Sequence, residues 1–368
     1  MKKIIKIVFL VLNIFFIALL IASTLAGTVA PSDFVWFSYL SYGYLYLLIV
    51  NVVFAIVWLA FGSWWFLLPL AAIIARYSFL PLYFQIGGTV AVSKDDFANE
   101  KMLKVLTFNA HHFEGVELKG ELADTNMALF LDIVEEENPD ILAMQEYIGR
   151  GDTLHLTEHL ARRGYKYMAS GYESGTMTGE VIFSKLPILR VVRIEGPSKL
   201  YVNLQWGEDT LRLYCLHLKS YGLDESDHRQ IHDISHGNVD NIASSSTLNK
   251  FRETIVEHQK EWEALKPYFD TRERLTVVAG DFNETPASYF YQQCRNYYKD
   301  SYCEAGQGFS TTYHGTFTRS RNATFPAFRI DMMLHTSDLE AVAYRRIKSE
   351  ISDHYPVVVT MRLVKGDQ

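Results

Sequence analysis

The segment LTVVAGDFNETP, residues 275–286, joins a short apolar run to a polar turn. Leu275–Ala279 has the length and composition of a buried β-strand, and the turn that follows contains Asp281 and Asn283. Carboxylate and amide side chains just beyond a strand are held by a rigid sheet, while the neighbouring loops leave room for a ligand. The segment therefore predicts a sheet with a functional site at its edge.

The same arrangement, an apolar run with polar residues at its end, recurs along the chain. Met102–Phe108 and Ile141–Met144 are predicted to be buried strands, and Asp124–Glu137 and Leu248–Phe269 have apolar residues at helical spacing. Buried strands mixed with amphipathic helices predict an α/β sandwich, with sheets inside and helices outside. Polar residues stand at or beside the ends of the strand-like runs: Asn109, Gln145, Glu146, His217, Asp331, Asp353 and His354.

These polar residues suit the chemistry of a divalent cation. Carboxylate and amide oxygens are hard ligands, which favour Mg²⁺ or Mn²⁺ over Zn²⁺. The histidines are suited to proton transfer near neutral pH. The sequence shows no Ser-His-Asp order and no cysteine with a nucleophile signature. Water activated beside a metal ion is therefore the predicted nucleophile.

Six segments together resemble the endonuclease/exonuclease/phosphatase superfamily, which includes pancreatic deoxyribonuclease and the neutral sphingomyelinases. They occur in the order found in that family and span nearly all of residues 102–363. Each segment alone is a weak signal, and GDFN and SDH are the most specific parts. The segments are LTFNAHHF (106–113), ILAMQEY (141–147), LYCLHLKS (213–220), VVAGDFNETP (277–286), FRIDMML (328–334) and ISDHYPV (351–357).

The resemblance implies a fold, an activity and a metal site. The fold would be a deoxyribonuclease-like four-layer α/β/β/α sandwich in a catalytic domain of residues 102–368. The activity would be hydrolysis of a phosphoric ester bond with Mg²⁺ or Mn²⁺. Glu146 would be the principal metal ligand, with Asn109 and Asp353 beside it.

The resemblance also implies catalytic roles. Asp281 and Asn283 would orient the attacking water and a phosphate oxygen. His354, held by Asp331, would contact the phosphate or act as the base. His217 would stabilise the developing charge or protonate the leaving group. In-line attack on phosphorus, helped mainly by electrostatic stabilisation, is the expected reaction, and the identity of the general base stays open.

Each of these residues alone also has an ordinary structural explanation, as a turn, a cap or a strand-edge charge. Their joint occurrence in family order favours the functional interpretation. His111 and His112 are interpreted as loop residues, with a metal pair as the alternative. His228, His232 and His236, in the polar stretch 222–246, are interpreted as part of a solvated loop, with a second metal site or a substrate-gating loop as the alternative. For Arg319 and Arg321, phosphate binding and exposure to water both stay open.

The first 91 residues form a region of different composition. Their only charged residues are Lys2, Lys3, Lys6, Asp33 and Arg76. A bilayer crossing needs about 20 apolar residues, so three transmembrane helices are predicted, at about 7–30, 36–61 and 64–84. The predicted domains are a transmembrane anchor (1–91), a linker (92–101) and the catalytic domain (102–368).

The three N-terminal lysines place the N-terminus in the cytoplasm by the positive-inside rule. Three crossings then put the catalytic domain outside an inner (cell) membrane. The alternative is that the first apolar segment is a signal peptide. Cleavage would leave two crossings, and the domain would still lie outside.

Charge and cysteine content bear on substrate and compartment. The domain beyond residue 91 is more acidic than the whole chain, whose net charge is −7, which weighs against tight non-specific binding of nucleic acid. The expected partners are the lipid bilayer and a phosphate-ester substrate, preferably a phosphodiester of a lipid head group or a nucleic acid. The alternative functions are a phosphomonoesterase of the same fold and a non-catalytic binding module that retains the fold. No obligate protein partner is inferred. A Cys294–Cys303 disulfide stays open for an extracytoplasmic domain.

Overall fold

Two six-stranded sheets form the centre of the molecule, which we describe from a computed structural model. The structure describes residues 2–87, 101–114, 123–148, 156–171, 178–194, 199–222, 227, 246–315 and 328–364. His228, His232 and His236, interpreted above as loop residues, and Arg319 and Arg321 lie outside these residues.

The first sheet contains the strand that carries Asn109 at its end. Its central pair, β2 and β3, is parallel, and the other neighbouring strands are antiparallel. In spatial order the strands are β13 (Leu339–Arg346), β14 (Val357–Leu363), β2 (Met102–Asn109), β3 (Ile141–Ile148), β5 (Thr178–Ser184) and β4 (Tyr167–Ser170).

The second sheet contains the strand that ends at Asp281. Its pair β8 and β9 is parallel, and the remaining neighbours are antiparallel. In spatial order the strands are β10 (Lys299–Asp300), β12 (Asp331–His335), β9 (Leu275–Asp281), β8 (Asp209–His217), β7 (Lys199–Trp206) and β6 (Ile188–Arg193). A separate two-stranded sheet pairs β1 (Phe84–Gln85) with β11 (Gly308–Phe309).

Helices cover the outer faces of both sheets. Helices α5 (Ala123–Glu137) and α6 (Leu156–Arg162) pack on the first sheet. Helices α7 (Ser246–Asp270) and α8 (Tyr289–Cys294) pack on the second, and α9 (Ser301–Ala305) lies between β10 and β11 in the chain. The structure therefore confirms an α/β sandwich built on two sheets.

The inner faces of the two sheets share one apolar core. Val105 and Ala143 of the first sheet pack with Leu213 and Val277 of the second, and all four side chains are fully buried. Burial of a side chain as large as valine or leucine stabilises the fold by about 1.5–3 kcal/mol relative to an exposed position. This core fixes the two sheets against each other, so residues at their ends keep a defined separation.

The N-terminal region differs from the three predicted spans. It forms α1 (Lys2–Leu25), α2 (Val35–Tyr42), α3 (Tyr44–Ala60) and α4 (Leu67–Ala75), the last preceded by a 3₁₀ turn from Trp64. One helix, Ile4–Leu25, is long and apolar enough to cross a bilayer, a property that a membrane anchor and a signal sequence share.

The second and third predicted spans are wrong as continuous helices. The second is bent by 69° between α2 and α3, at Gly43. The third stops at Ala75, because Arg76 ends the helix and a 3₁₀ helix containing Pro81 follows. Proline has no N–H to donate, which disfavours continuation of an α-helix.

The N-terminal helices pack against the second sheet's outer layer. Leu20, Tyr44 and Leu82 belong to the same buried apolar cluster as Trp262 of α7 and Phe290 of α8. Three hydrogen bonds add to this interface: Gln293 Nε2 donates to Gly27 O (3.1 Å), Ser32 N donates to Gln259 Oε1 (2.9 Å) and Tyr39 OH donates to Leu248 O (2.7 Å). The helices and the sandwich therefore share one core.

The disulfide left open by the sequence is not formed. Cys215, Cys294 and Cys303 are all free. Cys303 instead lies with its Sγ 3.7 Å from the carbonyl oxygen of Pro81, at the interface with the N-terminal helices.

Candidate functional site

The topology brings the predicted site residues to one edge of the two sheets. The parallel pair β2 and β3 places Asn109 beside Gln145, and the parallel pair β8 and β9 places His217 beside Asp281. Since the carboxyl ends of parallel strands meet at the same edge, both pairs end at the site. The antiparallel strands β12 and β14 begin there, and they bring Asp331 opposite Asp281 and His354 to the same edge.

The backbone is irregular at several residues of the site. A break in the β3–β5 register between Met144 and Tyr147 accompanies a positive φ of 49° at Glu146, as expected where a bulge redirects a side chain. Asn283 has a φ of 48°, and His111 and His112 have values of 42° and 56°. Left-handed backbone at non-glycine residues is costly and often gathers at functional sites.

Asn109 links the two sheets. Its Nδ2 donates to Glu146 Oε1 at 3.1 Å and to Asp281 Oδ2 at 3.0 Å, and its Oδ1 accepts from the amide of His111 at 3.0 Å. Asn109 and Asp281 are buried. The amide therefore holds two carboxylates from different sheets next to each other.

His217 faces three carboxylates. Its Nε2 lies 3.5 Å from Glu146 Oε1 and 3.8 Å from Asp281 Oδ2, and its Nδ1 lies 3.4 Å from Glu180 Oε1. Burial alone would lower the pKa of His217. Contact with Glu180 and the charges of Asp281 and Glu146 outweigh burial and raise that pKa to about 9. The ring is therefore disposed to carry a positive charge beside the carboxylates.

Glu180 was missed by the sequence analysis. It lies in β5 directly before Val181–Phe183, is 1 % exposed, and its Oε2 has no hydrogen-bond partner among the residues that the structure describes. The sequence does contain a signal for Glu180, which is a single carboxylate directly before an apolar strand. Buried carboxylates are rarely tolerated without a partner, so such a residue indicates a polar site nearby.

Asp331 and His354 form a buried pair. His354 Nδ1 lies 2.9 Å from Asp331 Oδ2, and Thr312 Oγ1 accepts from the amide of Asp331 at 3.0 Å. Burial disfavours the imidazolium, but the charges of Asp331, Asp281 and Asp353 raise the pKa of His354 well above its ordinary value. The ring of Tyr313 packs edge-on against His354 with centroids 5.0 Å apart.

Asp281 lies between the two histidines. Its Oδ2 is 3.7 Å from His354 Nε2 and 3.8 Å from His217 Nε2, while its Oδ1 accepts from the amide of Asn283 at 2.8 Å. Asn283 in turn donates from Nδ2 to Leu218 O at 3.0 Å. The side-chain amide of Asn283 therefore connects its turn to the segment after His217.

Asp353, like Asp281, lies near Nε2 of His354. Its Oδ1 is 3.9 Å from His354 Nε2 and 3.2 Å from His111 Nδ1. Burial would raise the pKa of this carboxyl, but His354, His111 and a hydrogen bond from Ser352 lower it to about 2. Asp353 is thus an ionised oxygen donor at the rim of the site.

His111 and His112 follow β2 in the chain, and their side chains are partly exposed. They form a 3₁₀ turn, and His112 Nε2 lies 3.9 Å from Glu146 Oε2 while His111 contacts Asp353. The strand geometry that would make adjacent side chains diverge does not apply, because β2 ends at Asn109 and the backbone turns into left-handed conformations.

The residues present fit a divalent cation. Oxygen donors predominate, and the buried Nε2 of His217 has no hydrogen-bond partner within the described residues although it faces two carboxylates. Asp281, Asp331 and His354 also have ligand atoms within 4.8 Å of one another. The predicted ligands Asn109, Glu146 and Asp353 carry the oxygen donors that a hard cation prefers, although Asn109 Oδ1 accepts a hydrogen bond from the amide of His111.

Two family models match separate parts of the chain. Residues 106–354 match the model of the Endonuclease/Exonuclease/phosphatase family, and residues 4–83 match a second model described only as a domain of unknown function. No curated protein matches the chain.

Two solved structures show the same fold. An endonuclease/exonuclease/phosphatase family protein from Bacteroides thetaiotaomicron is 16 % identical, with a TM-score of 0.51, covering 72 % of this chain and 96 % of that one. The human Nocturnin catalytic domain with bound sulfate is also 16 % identical, with a TM-score of 0.50 and the same coverage. The family model spans more than half of the chain, and the chain therefore belongs to the endonuclease/exonuclease/phosphatase family of hydrolases acting on phosphoester bonds.

Proposed function

We propose that this protein is a membrane-anchored, divalent-metal-dependent phosphoesterase that hydrolyses a phosphodiester by in-line attack of water. The observation that carries the proposal is the meeting of Asn109, Glu146, His217, Asp281 and His354 at one sheet edge, from elements far apart in the chain. Such a set of carboxylates, amide and histidines supplies cation ligands and proton-transfer groups together.

Asn109, Glu146 and Asp353 are proposed to hold Mg²⁺ or Mn²⁺. A hard cation bound there supplies Lewis-acid stabilisation of charge on a phosphate oxygen. Asn109 keeps Glu146 and Asp281 close, and Ser352 Oγ, which donates to Asn109 O at 2.8 Å, ties the Asp353 segment to β2. These hydrogen bonds hold the proposed ligands in fixed positions before substrate binds.

The other residues of the site are proposed to bind the phosphate, orient the water and transfer protons. Asp331 orients His354 through Nδ1, so Nε2 points towards Asp281 and is proposed to contact the phosphate. Asp281, fixed by the amide of Asn283, is proposed to orient the attacking water. His217, held by Glu180, is proposed to stabilise the developing negative charge or protonate the leaving group.

A membrane anchor is supported by the N-terminal helices. Only 11 % of the most apolar part of Ile4–Leu25 is buried, whereas the core helix of a soluble protein is mostly buried. The same helix packs into the fold, since Trp58 Nε1 donates to Asn13 Oδ1 at 3.2 Å and Asn51 Nδ2 donates to Phe16 O at 3.1 Å. These contacts favour a retained helix over a cleaved signal peptide.

We further propose that the catalytic domain lies outside an inner membrane. The N-terminal half of α1 pairs with the end of α3, with the rings of Phe9 and Trp58 5.0 Å apart, whereas Leu20 and Tyr44 join the core shared with the sandwich. The N-terminus therefore lies at the end of the helices away from the catalytic domain. The N-terminal lysines favour the cytoplasm for that end.

Two cysteine variants test this topology in intact cells with a membrane-impermeant thiol reagent. A cysteine introduced at the exposed Glu158 is expected to react before lysis, and one at Lys3 only after lysis. The reverse pattern would place the catalytic domain in the cytoplasm.

A lipid phosphodiester is the preferred substrate class, because an anchor keeps the site close to lipid head groups. The acidic catalytic domain does not favour a nucleic acid, which remains the second candidate. Vesicles containing phosphodiester lipids, single- and double-stranded nucleic acids and phosphomonoesters would separate these classes.

Hydrolysis of bis-p-nitrophenyl phosphate by the full-length protein in detergent tests the reaction type. Activity is expected with Mg²⁺ or Mn²⁺ and is expected to vanish with EDTA and in Glu146→Ala. Glu158→Ala, which removes an exposed carboxylate on α6, is the matched control and should keep wild-type turnover. Undiminished hydrolysis by Glu146→Ala, or activity only on phosphomonoesters, would contradict the proposal.

A further inference from the structure

One side chain from the N-terminal helices reaches the turn that carries Asp281. Tyr42, the last residue of α2, donates its hydroxyl hydrogen bond to Glu284 Oε2 at 3.0 Å and also lies 3.4 Å from the carbonyl oxygen of Asn283. Its hydroxyl is hydrogen-bonded to that of Tyr221 as well. Tyr42 therefore contacts both the catalytic turn and the segment that follows His217.

Glu284 passes this contact on to a buried histidine. Its Oε1 lies 2.7 Å from His258 Nδ1, and His258 Nε2 lies 2.7 Å from the carbonyl oxygen of Lys219. Both Glu284 and His258 are buried. A carbonyl only accepts hydrogen bonds, so Nε2 of His258 carries a proton and the chain from Tyr42 to Lys219 is continuous.

The two segments joined by this chain carry proposed catalytic groups. Lys219 is two residues from His217, and Glu284 is three residues from Asp281. They are also linked directly, since the amide of Leu218 donates to Asp281 O at 3.0 Å and Asn283 Nδ2 donates to Leu218 O at 3.0 Å. Any shift of Glu284 is therefore transmitted to the backbone that places Asp281 and His217.

Aromatic packing fixes the position of Tyr42 itself. Its ring lies against Tyr221 and Phe251, with centroids 5.9 and 6.3 Å away, and against Phe328 at 6.5 Å. The backbone of Phe328 pairs with that of Tyr313 in an isolated β-bridge, and the ring of Tyr313 packs against His354. The phenol is thus held on three sides, with its hydroxyl directed at Glu284.

We propose that Tyr42 is a positioning residue for the phosphoesterase reaction, holding the turn 281–284 against the segment 217–221 through Glu284 and His258. The N-terminal helices then form part of the active-site scaffold and are more than a tether. This inference rests on the proposed function for its kinetic consequence, but the structural coupling is measured independently of any substrate.

Removal of a single oxygen tests the role. Tyr42→Phe keeps the aromatic packing and deletes the donor to Glu284. In the full-length protein we expect kcat for bis-p-nitrophenyl phosphate to fall on the order of 10-fold, with KM within about two-fold, because misplacement of the catalytic groups slows chemistry more than binding. The midpoint of thermal unfolding is recorded for each variant, so that only folded protein is compared.

Tyr39→Phe is the matched control. Tyr39 lies on the same helix and its hydroxyl donates to the catalytic domain at Leu248 O, but that contact is on α7 and does not involve the turn. It should therefore keep wild-type kcat. Equal losses in the two variants would show a general docking effect and overturn the proposal, as would wild-type kcat in Tyr42→Phe.

Hydrogen exchange supplies the readout that does not need a substrate. Tyr42→Phe should raise amide exchange in peptides covering 217–221 and 281–285, and Tyr39→Phe should not. Unchanged exchange in Tyr42→Phe overturns the positioning role. If the wild-type protein hydrolyses no phosphodiester while exchange rises as expected, the coupling stands and the proposed reaction fails.

Discussion

Asn109 Nδ2 donates a hydrogen bond of 3.0 Å to Asp281 Oδ2, and this contact joins the end of a strand in one sheet to the end of a strand in the other. The same nitrogen contacts Glu146 Oε1 at 3.1 Å. One amide nitrogen thus holds together two carboxylates that belong to different sheets, Glu146 in the first and Asp281 in the second. The geometry of the candidate site therefore depends on how the two sheets pack, as well as on each strand.

Loss of the Asp331 carboxylate should disable His354 without unfolding the domain. Asp331→Asn leaves a side chain of the same shape but removes the negative charge that orients and charges the imidazole. We expect kcat to fall about 100-fold or more, within the range typical of proton-transfer groups. Steady-state kinetics on bis-p-nitrophenyl phosphate measure it, and Asp338→Asn, at an exposed ion pair, should have no such effect.

Glu180 should act through His217. Glu180→Gln keeps the shape of the side chain and removes the charge next to His217 Nδ1. We expect about a 10-fold lower kcat, because the imidazole loses its orienting partner, and little change in thermal stability. Wild-type kcat in this variant would limit Glu180 to a structural role.

Gly280 should be intolerant of any side chain. Its φ is +143°, and a Cβ there would lie 1.9 Å from the carbonyl oxygen of Leu216 in the paired strand β8. Gly280→Ala is expected to lower the free energy of unfolding by about 3 kcal/mol or more, since both backbones must shift. Denaturant unfolding measures the loss.

Gly222 offers a control for that substitution. It has a φ of +54°, but a Cβ there meets nothing within 4 Å. Gly222→Ala should therefore cost only the backbone strain, about 1 kcal/mol. A similar loss in both variants would show that the contact with Leu216 is not the cause.

The contribution of the buried pair His258–Glu284 should decline at high pH. Burial lowers the pKa of His258, but the hydrogen bond and charge of Glu284 outweigh it, so the pKa lies above its ordinary value. A raised folded-state pKa means that the stabilisation is complete below the unfolded-state value of about 6.5 and is lost as pH rises through the folded-state value.

Thermal unfolding of the wild type and of His258→Gln between pH 6 and pH 10 tests this pair. The difference between the two midpoints is expected to be largest at pH 6 and to shrink as the pH rises. A difference that grows with pH would contradict an imidazolium at this position.

Much of the sandwich could be predicted because its central strands are apolar and bounded by clear turns. Leu275–Ala279 and Ile141–Met144 were assigned correctly, and each extends by two to four residues into the polar site. The edge strands β6 and β13 were not predicted. Both are rich in charged residues, as exposed edges usually are, so they lack the apolar signal used to find strands.

The N-terminal spans were predicted poorly for a related reason. Apolar composition shows how long a stretch is, but it does not show the 69° bend at Gly43 or the end of the helix at Ala75, after which a 3₁₀ helix containing Pro81 follows. Tyr42 lies within the second predicted span, yet its hydroxyl contacts Glu284 of the sandwich. Its role was not readable from the sequence because its partner lies more than two hundred residues away.

The predicted site residues were chosen from motif order, which gave no signal for Glu180. Glu180 stands alone before an apolar strand, and His112 reaches Glu146 only because the backbone turns after β2. Roles for the eight predicted site residues stay predictions until they are tested one at a time.

Binding of Mn²⁺ to the full-length protein, measured by isothermal titration calorimetry, tests the central claim most directly. The wild type should bind the cation, and Glu146→Gln should bind it at least about 10-fold more weakly while keeping its unfolding midpoint. Equal Mn²⁺ affinity in the two proteins, or no binding by the wild type, would contradict a metal site at the shared edge of the two sheets.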